Sequence, residues 1–369
     1  MSRFFGTCRK QAVIILASRR LLITGTLHPI RWAIAAVLLL PVGLAFSAMF
    51  AKYAGQSDLT RNLYRTLCYL FATEVLLLIV TAAIGLVYEV RARSRDAKLY
   101  QPPGKLVDIG SHRLHLNCTG QGSPTVVLEH GHQSSYLDWS LVQPEIARFT
   151  RVCSYDRAGY GWSDVSPGLR IPSVMAGELH ALLQAAGEAP PYILVGHSFG
   201  SFDAVMFAHK FPNEVAGIVL VDGLHPDAAP MFSLREKAWL RLMQFTMPFG
   251  LPRWRGWCGG AAPGIKQAIT CRSSFYQAIY REWSAFQQSA DEVRSIRSLG
   301  NIPLIVISRD PVVRGDSPPE MRWNQLQRQN LQLSHSSEFV IATGSGHDVP
   351  LVKPETVVNA VRKLHGKHH

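Results

Sequence analysis

The G-x-S-x-G pattern at residues 196–200 constrains the fold of this chain more than any other segment, because of what flanks it. An apolar run precedes the pattern, and a helical pattern follows it. A strand that ends in a sharp turn and continues into a helix is the context of a nucleophile elbow. Gly196 and Gly200 suit such a turn, since a Cβ would collide with the neighbouring strand and helix. The pattern therefore predicts Ser198 as a nucleophile at an exposed tip.

Short apolar runs rich in Val, Ile and Leu alternate with helical stretches from about residue 100, which predicts βαβ units. The first two runs are joined by a tight Gly-Ser turn and are expected to pair antiparallel. Together they predict an α/β fold with a mostly parallel, eight-stranded sheet. The predicted strands are residues 106–109, 112–118, 125–130, 151–156, 192–197, 217–222, 304–308 and 339–342.

The βα rhythm stops at about residues 224–299, a stretch with helical runs and four tryptophans. It lies between two predicted strands, so we expect a helical cap insertion over the C-terminal edge of the sheet. That edge is where open α/β sheets bind ligands.

Two long apolar runs precede this region. Residues 32–51 carry no charge, and residues 67–88 carry only Glu74. Each run is long enough to cross about 30 Å of hydrocarbon as a helix. The sequence therefore predicts a membrane region over residues 1–98, with two transmembrane helices, and a catalytic domain over residues 99–369.

The net charge of +12 is unevenly distributed along the chain. Residues 1–98 hold 13 Lys/Arg and 4 Asp/Glu, whereas the remainder holds 25 and 22. The basic excess belongs to the membrane-like region, which argues against a nucleic-acid-binding face. Positive charges outside both spans favour a hairpin with both ends in the cytoplasm. We therefore expect a multi-pass protein of a bacterial cytoplasmic membrane, with its catalytic domain on the cytoplasmic side.

The six cysteines have no C-x-x-C spacing, which predicts neither a zinc site nor a disulfide framework. Cys258 and Cys271 could pair if the domain met an oxidising compartment. The chain also lacks the H-E-x-x-H, Walker and dinucleotide-binding patterns, so we expect no metal and no cofactor.

Residues 100–369 resemble the α/β-hydrolase fold family of serine hydrolases. Five motifs in family order carry the resemblance: His130-Gly131, residues 156–164, residues 196–200, Asp222 and Gly346-His347. Each lies after a predicted strand. The resemblance implies the α/β-hydrolase fold, with Ser198 as the nucleophile.

A serine hydroxyl needs a base within hydrogen-bond reach to act near neutral pH. His347 lies just beyond the last strand, where the family places its histidine, and is predicted as general base and later general acid. The triad acid is either Asp222, after the sixth strand, or Asp310, after the seventh, with a narrow preference for Asp222. Both preserve the family's chain order. His197 is expected to point away from the nucleophile's face.

The resemblance also implies an oxyanion hole made of backbone N–H groups. One donor is expected from Phe199, which follows the nucleophile, and the other from His132, with Gln133 as the lesser candidate. Asp156 and Arg157 are expected to brace the loop near the elbow as structural residues.

These features predict a serine hydrolase that cleaves an ester or a related acyl bond through an acyl-enzyme. The aromatic-rich insertion favours a hydrophobic acyl substrate, and the bilayer is the expected partner. The same frame supports amidase, thioesterase, lactonase, C–C hydrolase and cofactor-free peroxidase chemistry. Dehalogenases and epoxide hydrolases use an aspartate where this chain has Ser198. The alternative is a non-catalytic membrane-anchored protein that binds a ligand or partner.

Overall fold

A computed structural model describes residues 58–228, 233–260, 264–315 and 317–367. The chain divides into two compact units, residues 1–84 and 85–369. The first described element is helix α1 (Asp58–Leu99). In the described part of the chain, it is the one helix long and apolar enough to cross a membrane. The predicted span at 67–88 lies within it, whereas the predicted span at 32–51 lies outside the described residues.

The second unit is built on an eight-stranded sheet with the order β1-β2-β4-β3-β5-β6-β7-β8. Strands β1, β2 and β4 pair antiparallel, and every other pair is parallel. The predicted eight-stranded, mostly parallel sheet is therefore confirmed. The strands are β1 (Lys105–Asp108), β2 (Arg113–Thr119), β3 (Thr125–Glu129), β4 (Val152–Asp156), β5 (Tyr192–His197), β6 (Val215–Val221), β7 (Leu304–Arg309) and β8 (Ser337–Ala342).

The helices of this unit follow the strands in α/β alternation, and five of them, α5 to α9, lie within the predicted insertion. Helices α10, α11 and α12 have no counterpart among the predicted elements. In chain order, the helices are α2 (Gln143–Ile146), α3 (Pro172–Ala186), α4 (Gly200–Lys210), α5 (Leu234–Thr246), α6 (Leu251–Trp254), α7 (Ile265–Thr270), α8 (Ser273–Ser284), α9 (Phe286–Ser295), α10 (Pro311–Arg314), α11 (Pro318–Gln329), α12 (Val349–Val352) and α13 (Pro354–His365).

Both faces of the sheet are buried, which explains the continuous apolar strands. On β5, Leu194 packs into one core cluster together with Leu179 of α3. Its neighbours Ile193 and Val195 belong to a second cluster, together with Val361 of α13. Alternate side chains of a strand point to opposite faces, so the two clusters are the two layers of helices on either side of the sheet.

The last turns of α1 belong to the second unit and pack against the cap insertion. The Arg253 guanidinium of α6 is buried, and it donates to Glu89 (Nε–Oε2, 2.9 Å) and to Asp96 (Nη1–Oδ2, 2.7 Å). A buried charge needs such partners, since leaving it unpaired costs several kcal/mol. The unit accordingly begins at Gly85, whereas the sequence predicted a boundary near residue 98.

Two disulfide bonds lie within the described residues, Cys118–Cys153 and Cys258–Cys271. The prediction of no disulfide framework was wrong. Cys118 of β2 and Cys153 of β4 are direct partners in the strand register, a relationship that their separation of 35 residues does not reveal. Cys258 and Cys271 form the pair that the sequence allowed for an oxidising compartment.

Candidate active site

Ser198 stands at the turn between β5 and α4, with a left-handed φ of +52°. The backbone crowds this turn on both sides. A Cβ on Gly196 would lie 2.7 Å from the carbonyl oxygen of Gly200, and a Cβ on Gly200 would lie 2.7 Å from the carbonyl oxygen of Glu129. Only glycine fits at these two positions, so the strand can pass directly into the helix and present the serine between them.

Three loops bring Ser198, His347 and Asp222 together. The Ser198 hydroxyl lies 3.0 Å from Nε2 of His347, and Nδ1 of His347 lies 2.6 Å from Oδ2 of Asp222. When Nδ1 carries the proton and donates it to the carboxylate, Nε2 is free to accept from the serine hydroxyl. This tautomer is the one that a general base requires.

Asp310, the alternative acid, lies elsewhere. Its Oδ1 accepts from the backbone N–H of Val312 at 2.9 Å and caps helix α10. Its Oδ2 accepts from the backbone N–H of Gly344 at 2.8 Å. The carboxylate of Asp310 thus holds the backbone of the loop that leads to His347, whereas the carboxylate of Asp222 contacts the imidazole.

The loop after β3 lies against the nucleophile. A Cβ on Gly131 would lie 3.0 Å from Nδ1 of His197 and 3.4 Å from Cβ of Ser198, so the backbone of this loop lies close to the nucleophile's turn. Gln133, the other loop candidate for an oxyanion donor, has a left-handed φ of +60°.

A protein-family model described as the alpha/beta hydrolase family matches residues 126–360. The chain belongs to this family. The matched residues include Ser198, Asp222 and His347, so the cluster described above lies within the matched region.

Relatives of this chain include the uncharacterised protein YqjL of Bacillus subtilis, which is 27% identical over 243 residues, covering 66% of this chain and 83% of YqjL. The chain spans 42% and 50% of the length of two further curated relatives.

Two solved structures share the fold. A thermophilic esterase from Thermogutta terrifontis is 24% identical, with a TM-score of 0.53, over 70% of this chain and 94% of the esterase. A putative epoxide hydrolase from Pseudomonas aeruginosa is 19% identical, with a TM-score of 0.54, over 72% of this chain and 95% of that structure.

Burial and neighbouring charges shift the pKa values of both Asp222 and His347. Burial alone would raise the pKa of Asp222, but the hydrogen bond from His347 and the charge of Arg309 outweigh it, and the pKa is lowered. Burial, followed by the charges of His197 and Arg309, lowers the pKa of His347 despite the opposing effect of Asp222. Near neutral pH the acid is therefore ionised and the base is neutral.

His197 contacts the backbone of the loop that carries His347. Its Nε2 donates to the backbone carbonyl of His347 at 3.0 Å, and its ring lies 4.9 Å from that of His347 between centroids. Its Nδ1 lies 3.6 Å from a carboxylate oxygen of Asp138. Burial alone would lower the pKa of His197, but the hydrogen bond and charge of Asp138 raise it overall. His197 thus holds the loop that carries the base.

Arg157 and Asp156 brace the site, but through separate partners. The buried guanidinium of Arg157 donates to Glu129 (2.7 Å) and to Glu282 (2.9 Å). Asp156 accepts from the imidazole of His115 at 2.7 Å and from a backbone N–H. The expected bracing role fits these contacts, although the two residues do not form an ion pair with each other within the described structure.

A cavity of about 400 Å³ lies between Gln133, in the loop after β3, and side chains of the cap insertion. Its lining mixes aromatic and aliphatic side chains with polar ones, among them Glu236 and Lys266. The aromatic rings of Trp239 and Trp257 pack at 5.1 Å between centroids on one side. The residues that define it include Gln133, Trp239, Leu240, Trp257, Phe275 and Ile279.

Sequence reasoning missed Arg309, Trp323 and Glu282, which surround the predicted residues. Arg309 ends β7 next to Asp310, so its position at the sheet edge was readable from the strand pattern. Trp323 lies on α11 and Glu282 on α8. No local pattern indicates that these two helices reach the site.

Proposed function

We propose that this protein is a membrane-anchored serine hydrolase that cleaves an ester or a related acyl bond of a hydrophobic substrate. The observation that carries the proposal is the continuous hydrogen-bond chain from Ser198 through His347 to Asp222, at 3.0 and 2.6 Å. A serine hydroxyl becomes a nucleophile only when such a base can take its proton. Asp310 is not part of this hydrogen-bond chain, and its carboxylate caps helix α10.

In the proposed reaction, Ser198 Oγ attacks the substrate carbonyl carbon while Nε2 of His347 takes the hydroxyl proton. Backbone N–H groups of His132 and Phe199 stabilise the negative charge that forms on the carbonyl oxygen. The bond to the leaving group then breaks, and Nε2 returns the proton to the leaving oxygen. Water repeats the sequence on the acyl-enzyme, giving the carboxylic acid and free Ser198.

The nucleophile separates this proposal from epoxide hydrolysis, which the fold also supports in other proteins. A serine that opened an epoxide would become an ether, with no carbonyl carbon for water to attack. An acyl substrate leaves an ester on Ser198, which the same base and oxyanion donors can hydrolyse. The tryptophan, phenylalanine and aliphatic side chains that line part of the cavity beside Gln133 favour an acyl group with a hydrophobic chain.

The membrane anchor rests on the apolar helix α1 and on the predicted first span. Two observations disagree about which side of the membrane holds the hydrolase domain. Positive charges outside the spans favour the cytoplasm, although the segment between the spans carries Lys52, Arg61 and Arg65 as well, the last two on helix α1. Two disulfide bonds in the domain favour an oxidising compartment. We give the disulfides more weight, because they lie in the domain itself, whereas the charges lie in the membrane region.

Labelling of the detergent-solubilised full chain with a fluorophosphonate probe tests the proposal. Wild type should label, Ser198→Ala should not, and Asp222→Asn should label about 10³- to 10⁴-fold more slowly, because the imidazole loses its orienting charge. Asp310→Asn is the comparison variant: it keeps one acceptor for the two backbone N–H groups that Asp310 holds and leaves the imidazole's carboxylate in place, so it should label far faster than Asp222→Asn. Folded wild type that fails to label would overturn the proposal and favour a non-catalytic binding protein.

A further inference from the structure

Strand β7 ends in Arg309, and this side chain reaches the proposed triad acid from the neighbouring strand. The Arg309 backbone N–H donates to Oδ1 of Asp222 at 3.1 Å, and its Nε donates to Oδ2 at 2.7 Å. Its Nη2 also lies 2.7 Å from Oδ2. One residue thus supplies a backbone donor and a guanidinium fork to a carboxylate that is fully buried.

Helix α11 completes the support from the other side. Nε1 of Trp323 donates to Oδ1 of Asp222 at 2.9 Å, and the Arg309 guanidinium lies over the Trp323 ring at 4.4 Å from its centroid. Nη1 of Arg309 donates to Glu320 at 3.0 Å. The guanidinium is therefore fixed between a carboxylate on each side and an aromatic face, which leaves it little freedom to turn away from Asp222.

The same guanidinium lies beside the base. Nη2 of Arg309 is 3.1 Å from Nδ1 of His347. In the tautomer that serves the reaction, both atoms are donors, so this contact is not a hydrogen bond. Both groups approach the same oxygen, Oδ2 of Asp222. Protonation of His347 would place a second positive charge at this distance, and the repulsion opposes it.

His347 has other charged groups in its surroundings besides Arg309 and Asp222. His197 faces it from the end of β5, and Asp138 pairs with His197. Glu320 lies behind Arg309 and does not contact the imidazole in the described structure. Asp222 is the carboxylate at the imidazole, and the positive charge nearest to both is that of Arg309.

We infer that Arg309 is a positioning residue that fixes the Asp222 carboxylate and opposes protonation of His347, so that the base stays active in mildly acidic solution. This inference rests on the proposed function. Arg309 acts through Asp222 and His347, and it does not touch the reacting atoms.

The test is the pH dependence of fluorophosphonate labelling in Arg309→Met and Arg309→Lys. Removing the charge should move the acid limb of the profile to higher pH by about one unit and lower the plateau rate about 10-fold. Arg309→Lys keeps a positive charge but loses the fork, so its plateau rate should fall while the midpoint stays near that of wild type. Arg328→Met, an exposed residue on α11, is the matched control and should match wild type.

Thermal unfolding of each variant separates a folding defect from an altered site. Combining Arg309→Met with Asp222→Asn adds a test of the route, since a residue that acts through Asp222 should cause little further loss once that charge is gone. An unshifted acid limb in folded Arg309→Met, with wild type labelling normally, would overturn the inference and leave the proposed function intact. Wild type that does not label would overturn the proposed function itself.

Discussion

Glu282 of the cap insertion contacts His132 of the loop after β3, with Oε2 and Nδ1 2.8 Å apart. The same carboxylate accepts from Arg157 and from the Tyr160 hydroxyl. Burial alone would raise the pKa of Glu282, but the charge of Arg157 and the hydrogen bond of His132 lower it strongly. An ionised carboxylate therefore joins the insertion to the loop that is proposed to hold the oxyanion.

Glu282→Gln should lower the free energy of unfolding by about 2–4 kcal/mol, because it removes one partner of a buried ion cluster and leaves Arg157 short of negative charge. Chemical denaturation followed by tryptophan fluorescence measures the loss. Glu338→Gln provides the matched control, because Glu338 pairs with Lys363 on the surface and should contribute less than about 1 kcal/mol. Equal losses in the two variants would contradict the assignment.

His130 should make the fold sensitive to acid. Burial, followed by the charge of Arg157, lowers the pKa of His130 to about 4, against the usual value of 6.5. Between these values the unfolded chain takes up a proton that the folded chain refuses, so stability falls as pH falls. The contribution lost between pH 7 and pH 5 is about 2 kcal/mol.

Denaturation of His130→Asn at pH 7 and pH 5 checks this expectation. The variant should lose less stability over that interval than wild type does, whatever its stability at pH 7. Replacing the exposed His335 by Asn should leave the interval unchanged. The expectation fails if His130→Asn and wild type lose the same free energy.

Gly196→Ala should damage the nucleophile's turn. Its Cβ would lie 2.7 Å from the carbonyl oxygen of Gly200 and 2.8 Å from Cα of Ser201, both on the backbone. Relief of this overlap should cost about 1–3 kcal/mol of stability and displace Ser198, with a large drop in the labelling rate. Gly264→Ala is the control, because nothing lies within 4 Å of its Cβ position and its backbone is extended. Unchanged labelling in Gly196→Ala would contradict the geometry of the elbow.

The two disulfide bonds predict how many cysteine thiols are free to react with a maleimide. Without reductant, unfolded protein from native membranes should react with a maleimide at no more than two of its six cysteines, one of which is Cys68. Reduction should expose four more thiols, from the pairs Cys118–Cys153 and Cys258–Cys271. Intact mass spectrometry counts the adducts. Six adducts without reductant would mean that neither disulfide bond forms, and would favour the cytoplasmic side for the hydrolase domain.

The sequence was sufficient for the sheet because each strand is a short apolar run bounded by turn residues. It was also sufficient to nominate Ser198, Asp222 and His347, since strand ends in a parallel sheet meet at one edge. The choice between Asp222 and Asp310 stayed nearly even, because both follow adjacent strands. Only the direction of each side chain distinguishes the one beside the imidazole from the one that caps a helix.

The surroundings of the site could not be read from the sequence. Trp323 and Glu282 reach it from helices whose packing depends on contacts far along the chain. The bond between Cys118 and Cys153 depends on the register of β2 against β4, which local composition does not encode. The boundary near residue 98 stays a prediction, and helix α1 continues without a break through residues 85–99, so no turn marks it.

The ion cluster around Arg253 determines where the α/β-hydrolase unit can be separated from the first part of helix α1. Removal of everything before Tyr100 would take away both Glu89 and Asp96 and strand a buried cation in the insertion. A water-soluble version for crystallisation should therefore begin at Gly85. It would keep about four turns of α1 as a strut against the cap.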